Sequence, residues 1–309
     1  MHAEKNRVSR LRRNGFGDIA FDSINVAVLL CLMVVTLYPF INTAAVSLNQ
    51  ATDTTLGSTF LWPRKPTWYN YQTIFKDHTI YHAFLISVLR TVIGTVSSVF
   101  CTAMLAYTVS RKDFVLSKPI SMIFVFTMYF SGGLIPVYML IKNLHLTNSF
   151  WVYIIPGLVG AFNLIVIRSF IEGLPESLVE SAKMDGANDF TVFIRIILPL
   201  SMPAIATIAL FVAVGQWNSW FDTFLYNSSK IDLSTLQYEL MKKLQSANLS
   251  IGGSATSAFV NSKNIGANIV TPTSIRAAIT MLATVPILVV YPFLQKYFVK
   301  GLTLGGVKE

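Results

Sequence analysis

Six long apolar stretches divide this chain, and they restrict its fold more than any other feature of the sequence. A helix needs about 20 predominantly apolar residues to cross the hydrocarbon core of a bilayer. Each stretch is continuous, without the alternation of polar and apolar residues that barrel strands show. The stretches cover residues 24–46, 84–109, 119–141, 150–167, 196–221 and 277–294. They predict an all-α integral membrane protein with six transmembrane helices.

The composition supports a membrane location. Charged residues make up 13% of the 309 residues, whereas a soluble domain normally has about 25%. The net charge is +9, but the basic residues lie mainly at the edges of apolar stretches. That placement favours control of membrane topology over binding to nucleic acid. Cys31 and Cys101 lie inside apolar stretches, which favours small buried or lipid-facing side chains over a disulfide or a metal site.

The first stretch follows a basic segment, as the apolar part of a secretion signal does. That segment contains Lys5, Arg7, Arg10, Arg12 and Arg13. The apolar region of a signal has only about 7–15 residues, which is shorter than this stretch. We therefore expect a retained transmembrane helix rather than a cleaved signal.

Lysine and arginine are distributed unevenly between the two sides of the predicted membrane domain, residues 23–295. With the N-terminus inside, 14 of the 24 basic residues fall in inside segments and eight fall in outside segments. The other two, Arg90 and Arg276, lie within or at the edge of apolar stretches. Because positive residues are enriched on the cytoplasmic side, we predict a cytoplasmic N-terminus (1–22) and a cytoplasmic C-terminal tail (296–309).

Two polar loops of the predicted topology stand out. Residues 172–198 separate the fourth and fifth stretches and so lie on the cytoplasmic side. Their pattern predicts two short helices, 175–185 and 189–197, with a turn at Gly186, where glycine can take a positive φ. The loop 226–272 lies outside, and its length indicates a function such as contact with an extracytoplasmic partner.

The cytoplasmic loop combines acidic and small side chains. Glu180 and Asp185 offer carboxylates to a cationic group of a partner. Ser181 and Ala182 are small enough to let a second surface approach closely, and Pro199 follows at a fixed distance. This combination favours a docking surface for another protein over an ordinary turn.

The string from Glu180 to Pro199 resembles the E-A-A loop of bacterial ABC importer permeases, with Ser181 where the family has its first alanine. Over nearly its whole length the chain resembles the MalG-type permeases of carbohydrate ABC importers, and most of all their YtcP-like subgroup, which includes alginate-oligosaccharide permeases. The other strings that carry this resemblance are Phe130-Ser-Gly-Gly-Leu-Ile-Pro-Val-Tyr138, Ile155-Pro-Gly157, Gly215-Gln-Trp-Asn-Ser-Trp-Phe221, Gln295-Lys-Tyr-Phe-Val-Lys-Gly301 and Gly305-Gly-Val-Lys308. The resemblance implies a type I ABC importer permease fold in the bacterial cytoplasmic membrane.

The resemblance also implies a set of partners. These are a second, MalF-like permease, two ATPase subunits that bind ATP and Mg, and an extracytoplasmic solute-binding protein. The loop would be the coupling element that docks on the ATPase, with Glu180 pairing a basic residue there. The tail, through Val307, Lys308 and Glu309, would also reach the ATPase. The sequence has no glycine-rich phosphate loop, CxxC pair or HExxH motif, so we expect no catalytic residue, metal site or cofactor in this chain.

Several polar and aromatic residues are candidates for the solute pathway. Trp217, Asn218 and Trp220 lie near the outer half of the fifth stretch, where aromatic faces and an amide would suit a sugar. An interfacial aromatic belt explains the two tryptophans equally well. Tyr129 and Asn163 are weaker candidates, since interhelical hydrogen bonds explain them better.

Arg90 is a charged residue inside the second stretch. Such residues indicate function by default, here contact with an acidic sugar. The sequence favours a guanidinium that extends to the outer surface, because only six residues separate it from the start of the stretch. An importer of another small polar solute, or an ion-coupled transporter, stays open as an alternative function. The latter would need carboxylates or histidines at mid-membrane, and the stretches contain none there.

Overall fold

The computed structural model describes residues 16–57, 59–76, 78–251 and 270–304. Within these ranges the chain is helical and forms no named strand, and one isolated antiparallel bridge joins Asn49 to Pro66. The helices are α1 (Phe16–Ser47), α2 (Ala51–Leu56), α3 (Tyr69–Lys76), α4 (His78–Ser110), α5 (Ser117–Tyr129), α6 (Leu134–Asn143), α7 (Ala161–Glu172), α8 (Ser177–Met184), α9 (Asp189–Leu200), α10 (Met202–Asn218), α11 (Phe221–Tyr226), α12 (Leu236–Ile251) and α13 (Pro272–Leu304). The all-α prediction is confirmed for the described part of the chain.

Three helices are individually long and apolar enough to cross a bilayer. They contain the candidate spans Ala20–Ser47, His78–Ser110 and Pro272–Val289, which correspond to the first, second and sixth predicted stretches. No residue of the apolar window of α1 is buried within the chain, whereas a third of the window in α4 is buried. Helix α1 therefore presents almost its whole circumference to lipid or to another protein, while α4 is the central helix of this fold.

Two more predicted spans are bent pairs of shorter elements. The 3₁₀ turns Phe150–Gly157 meet α7 at 48°, and α9 meets α10 at 81°. Pro199 and Pro203 flank the second bend, where proline removes a backbone donor and obstructs the preceding turn. Each bent pair is long and apolar enough to cross a membrane as one broken span.

The third predicted span differs from the sequence expectation of one helix over 119–141. The helix ends at Tyr129, and a new one begins at Leu134 after an extended segment in which Gly133 has φ 86°. Glycine tolerates this left-handed backbone, which breaks the hydrogen-bond ladder of the helix. Five spans at most satisfy length and composition within the described residues, so the count of six stays a prediction.

The largest hydrophobic cluster lies at the end of α4 that is nearest the predicted cytoplasmic loop. Small residues of α4, such as Ala103 and Ala106, allow α7 and α10 to approach and bury Ile167 and Ile208. The same cluster includes Phe193 from α9. The loop is thus packed into the helical core rather than suspended below it.

Candidate functional site

The loop 172–198, which the predicted topology places in the cytoplasm, forms the predicted pair of short helices. Helix α8 ends at Met184, Gly186 turns the chain with φ 81°, and α9 begins at Asp189. Asn188 caps α9, since its side-chain oxygen accepts a hydrogen bond from the Thr191 N–H at 2.8 Å. No atom lies within 4 Å of the Cβ position at Gly186, so the glycine is required by the turn and not by crowding.

One face of this helix pair is buried against α4 and α7. Val179, Val192, Phe193 and Ile197 are almost fully buried. The ring of Phe193 stacks on that of Tyr107 in α4, with centroids 5.6 Å apart and planes 27° apart. Burial of this kind contributes about 1.5–3 kcal/mol for each large apolar side chain. The loop is therefore fixed to the core helices.

The opposite face carries most of the residues that are predicted to dock on a partner. Glu180, Ser181 and Asp185 are exposed, and Met184 is 87% exposed. The Ser181 hydroxyl donates to the Leu178 carbonyl at 3.2 Å. The side chain therefore lies against its own helix and does not project from the surface. Among the described residues, the Glu180 carboxylate has no ion-pair partner within 4 Å. Ala182 differs from these residues, because it packs partly against the core.

Neighbouring charges of the loop are paired within the chain. Lys112, just after α4, donates a hydrogen bond to the Glu176 carboxylate. This bond lowers the pKa of the Glu176 carboxyl and raises the pKa of the Lys112 amine. Lys183 lies 3.0 Å from Asp189, and this hydrogen bond raises the pKa of the lysine. The pair Lys112–Glu176 could not be predicted from the sequence, because Lys112 is 64 positions from Glu176.

A second polar cluster surrounds Arg90, whose side chain is 2% exposed. Its Nε and Nη2 donate to Oε1 of Gln216 at 3.1 and 3.0 Å. Its Nη1 and Nη2 donate to Oδ1 and Oδ2 of Asp222 at 3.2 and 2.5 Å, and Nη1 also donates to the Ser219 carbonyl at 3.3 Å. The guanidinium lies 4.3 Å from the ring centroid of Tyr153. All five N–H groups of the arginine therefore have acceptors.

The expectation that Arg90 extends to the outer surface is wrong. Helix α4 begins at His78, so Arg90 lies 12 residues, or about 18 Å, along it. The side chain turns toward α10 and α11, where Asp222 supplies the opposite charge. Gly94 helps this arrangement, because an added Cβ would lie 2.8 Å from the Gln216 amide nitrogen.

The cluster opens into a cavity of about 400 Å³. Its lining combines the polar residues Arg90, Gln216, Ser219 and Asp222 with Tyr226 and with apolar residues. The Tyr226 ring stacks on Tyr138, with centroids 5.9 Å apart. The size is within the range of about 300–1,000 Å³ that small-molecule sites show.

The remaining pathway candidates do not form one group. Trp217 is 6% exposed and packs between α10 and α13, where its Nε1 donates to the Ala283 carbonyl at 2.8 Å. In this buried position, the Trp217 ring contacts neither a sugar surface nor a lipid belt within this chain. Trp220 is half-buried and Asn218 is exposed, with the Gln237 amide 3.5 Å from the Asn218 oxygen. Their contact with solute stays a prediction.

Two weaker candidates lie on other helices. Tyr129 is 79% exposed at the end of α5, and Asn163 is half-buried in the first turn of α7 beside Gly160. Neither lines the cavity beside the Arg90 cluster. The predicted tail residues Val307, Lys308 and Glu309 lie outside the described residues.

Comparison with known proteins identifies close relatives. The chain is 38% identical over 292 residues to the polygalacturonan/rhamnogalacturonan transport system permease protein YtcP of Bacillus subtilis, covering 93% of this chain and 98% of the relative. It is 36% identical to the protein LplC of the same organism, covering 93% and 95%. These values extend the similarity over nearly the full length of both proteins.

A solved structure shows the same fold. One chain of a bacterial ABC transporter involved in the import of the acidic polysaccharide alginate matches with a TM-score of 0.82 at 27% identity, covering 92% of this chain and 98% of that one. The likeness extends over most of both chains, so this fold is the type I ABC permease fold. Residues 103–304 also match the family described as binding-protein-dependent transport system inner membrane component. The chain belongs to this family of inner-membrane transport components.

Proposed function

We propose that this chain is the permease subunit of an ATP-driven, binding-protein-dependent importer of carbohydrate, with oligosaccharides as its solutes. The exposed Glu180 surface, which is fixed from behind by buried side chains, is the observation that carries the proposal. Named relatives that transport polygalacturonan, rhamnogalacturonan and alginate support the class of solute. The chain itself would hydrolyse no ATP.

The proposal includes a complete transport complex in the bacterial cytoplasmic membrane. A second, MalF-like permease would complete the pore, and two ATPase subunits would bind ATP and Mg on the cytoplasmic side. A solute-binding protein would deliver the sugar from outside. The topology of six spans with both termini in the cytoplasm belongs to the same proposal, supported by the distribution of basic residues.

Coupling would follow from how the loop is attached. An ATPase that moves would push on the exposed face around Glu180 and Asp185. The buried face would pass this motion to α4 and α7, while the 81° bend between α9 and α10 sets where the fifth span changes direction. The result would be alternating access of a central pathway, with the chemistry confined to other chains.

Affinity purification tests this proposal directly. The chain would carry a tag, be expressed with its genomic neighbours, and be purified in mild detergent. We expect it to retain a second permease and an ABC ATPase, and to import sugar in vesicles only when ATP and the binding protein are both present. A homo-oligomer that transports solute without any ATPase would contradict the proposal and favour an ion-coupled transporter.

A further inference from the structure

The segment between α1 and α3 folds back along α1 instead of projecting away from it. The Thr67 N–H donates to the Leu48 carbonyl at 2.7 Å, which returns the chain to the end of α1. Further along, the Asn42 amide nitrogen donates to the carbonyls of Thr59 and Phe60 at 2.6 and 2.9 Å. We call residues 59–68 the return loop. Its first residues thus lie beside α1, more than one turn before that helix ends.

Buried polar side chains fix the shape of the return loop. Asn49 is fully buried, its oxygen accepts from the Lys65 N–H at 2.8 Å, and its nitrogen donates to Asp53 at 3.0 Å. Asn70 donates to the carbonyls of Ser47 and Asn49, both at 2.9 Å. Buried amides with all of these partners specify one arrangement. The return loop therefore has one defined conformation.

The return loop exposes large apolar side chains. Phe60, Leu61, Trp62 and Trp68 are all exposed, and Trp62 is 82% exposed. No other part of the described chain covers them, although water solvates such a cluster poorly. Tryptophan near basic residues is typical of a membrane interface, and the basic pair Arg64-Lys65 follows Trp62 after Pro63.

The length of α1 gives the depth of the return loop. The apolar span Ala20–Ser47 has 28 residues, which is about 42 Å of helix. That length equals the thickness of a bilayer with its headgroup regions, about 40–45 Å. Asn42 lies five residues before Ser47, or about 7.5 Å deeper. The return loop is thus held where headgroups meet hydrocarbon.

The polarity of Asn42 supports this depth. An amide that faces hydrocarbon without a hydrogen-bond partner is costly. The loop carbonyls supply acceptors to the Asn42 nitrogen, and Phe60 and Leu61 remain exposed beside it. The loop therefore covers a polar site on α1 and continues the apolar surface of that helix.

We propose that the return loop is a membrane-interface anchor that inserts Phe60, Leu61 and Trp62 into one leaflet, the outer one in the predicted topology. The inference rests on the membrane location within the proposed function, but not on the solute or on ATP coupling. It assigns the aromatic belt of this region to Trp62 and Trp68, and not to Trp217. The exposed apolar side chains of the return loop therefore contact lipid.

Fluorescence quenching in lipid nanodiscs tests the anchor in the complete transport complex. The signal of Trp62 is obtained as the difference between wild type and Trp62→Phe. The discs would contain phosphatidylcholine and phosphatidylglycerol brominated either near the headgroup or near the chain end. We expect the headgroup-proximal bromine to quench about twofold more strongly, because Trp62 is held at the interface. Aqueous iodide should quench this signal weakly.

The other outcomes contradict the anchor. Strong quenching by iodide without any effect of bromolipids would place the loop in water. Protection from both quenchers would show that another protein chain covers Trp62. The variant Asn42→Leu gives a further control, because it removes both bonds to the loop without adding polarity to α1. We expect this variant to increase the quenching of Trp62 fluorescence by iodide and to decrease its quenching by bromolipids. Unchanged quenching by both agents would contradict the role of Asn42.

Discussion

The cytoplasmic loop and the Arg90 cluster both concentrate charge, but they use it in opposite ways. In the cluster, every N–H of Arg90 has an acceptor from the same chain, and the side chain is buried. In the loop, Glu180 is exposed and has no ion-pair partner within the described residues. A charge whose hydrogen bonds are complete holds a structure together. An exposed charge without an ion-pair partner, on a helix that is packed against the core, is available to another molecule.

This contrast weakens the case for Arg90 as a direct ligand of an acidic sugar. A sugar carboxylate would have to displace Asp222 from the guanidinium and then lie beside that second negative charge. The Arg90 cluster instead joins α4 to the C-terminal end of α10 and to α11. Asp222 is the more exposed partner of the pair, with 22% of its side chain accessible, and it lines the adjoining cavity.

The largest expected effect is loss of the Arg90 charge. Arg90→Leu would leave the Asp222 carboxylate without its cationic partner, held only by hydrogen bonds from the Ser219 hydroxyl and the Thr223 N–H. Breaking a buried ion pair costs about 3–5 kcal/mol, and the partial exposure of Asp222 favours the lower end. We expect a marked fall in the thermal midpoint of the purified complex.

The double variant Arg90→Leu/Asp222→Leu is the matched control. It removes both charges and should regain most of the lost stability, because no unpaired carboxylate remains. An unchanged midpoint in Arg90→Leu alone would show that the cluster does not stabilise the fold.

A smaller effect is expected at Trp217. The change Trp217→Phe retains an aromatic ring between α10 and α13 but removes the hydrogen bond to the Ala283 carbonyl. We expect a loss of about 1–2 kcal/mol from the hydrogen bond and the reduced packing. The matched change Trp220→Phe should cost less in a thermal unfolding assay, and equal losses would argue against the buried position of Trp217.

The turn of the cytoplasmic loop should show a still smaller effect. Gly186 has φ 81°, a conformation that costs a residue with a Cβ about 1–2 kcal/mol. Gly186→Ala should therefore lower the unfolding midpoint slightly and loosen α8 relative to α9. Gly186→Asn should be milder, since asparagine tolerates this region. If alanine proves neutral, the turn does not hold the helix pair in place.

The smallest effect is expected for the exposed pair Lys112–Glu176. Solvent screens this pair, so Glu176→Gln should leave the unfolding midpoint unchanged within error at neutral pH. The hydrogen bond from Lys112 lowers the pKa of Glu176. Any stability it adds is present above the ordinary carboxyl pKa and is lost as the pH falls through the lowered value. A large difference at neutral pH would contradict this account.

Sequence reasoning succeeded where a single local pattern determined the structure. The uninterrupted apolar stretches identified α1, α4 and α13, and the turn at Gly186 separated α8 from α9. It failed where a distant residue or a local backbone choice decided the outcome. The pairing of Arg90 with Asp222 joins residues 132 positions apart.

The remaining differences also have physical causes. Hydropathy makes the stretch 119–141 continuous, because it does not report backbone angles. Gly132, Gly133 and Pro136 mark a place where this helix can bend, but they do not show that it ends there. Trp217 could not be assigned from sequence, because a tryptophan is equally suited to a core, a belt or a sugar. Tertiary contacts alone distinguish these positions.

The central claim is that the open charge at Glu180 couples this chain to an ATPase. The most direct measurement is the ATPase activity of the purified complex with loaded binding protein, compared between wild type and Glu180→Lys. Asp232→Lys, an equal charge change at an exposed position remote from the loop, serves as the control. We expect Glu180→Lys to reduce the stimulated activity about tenfold or more, the loss expected if the contact is worth over ~1.4 kcal/mol. Wild-type stimulation in Glu180→Lys would contradict the claim.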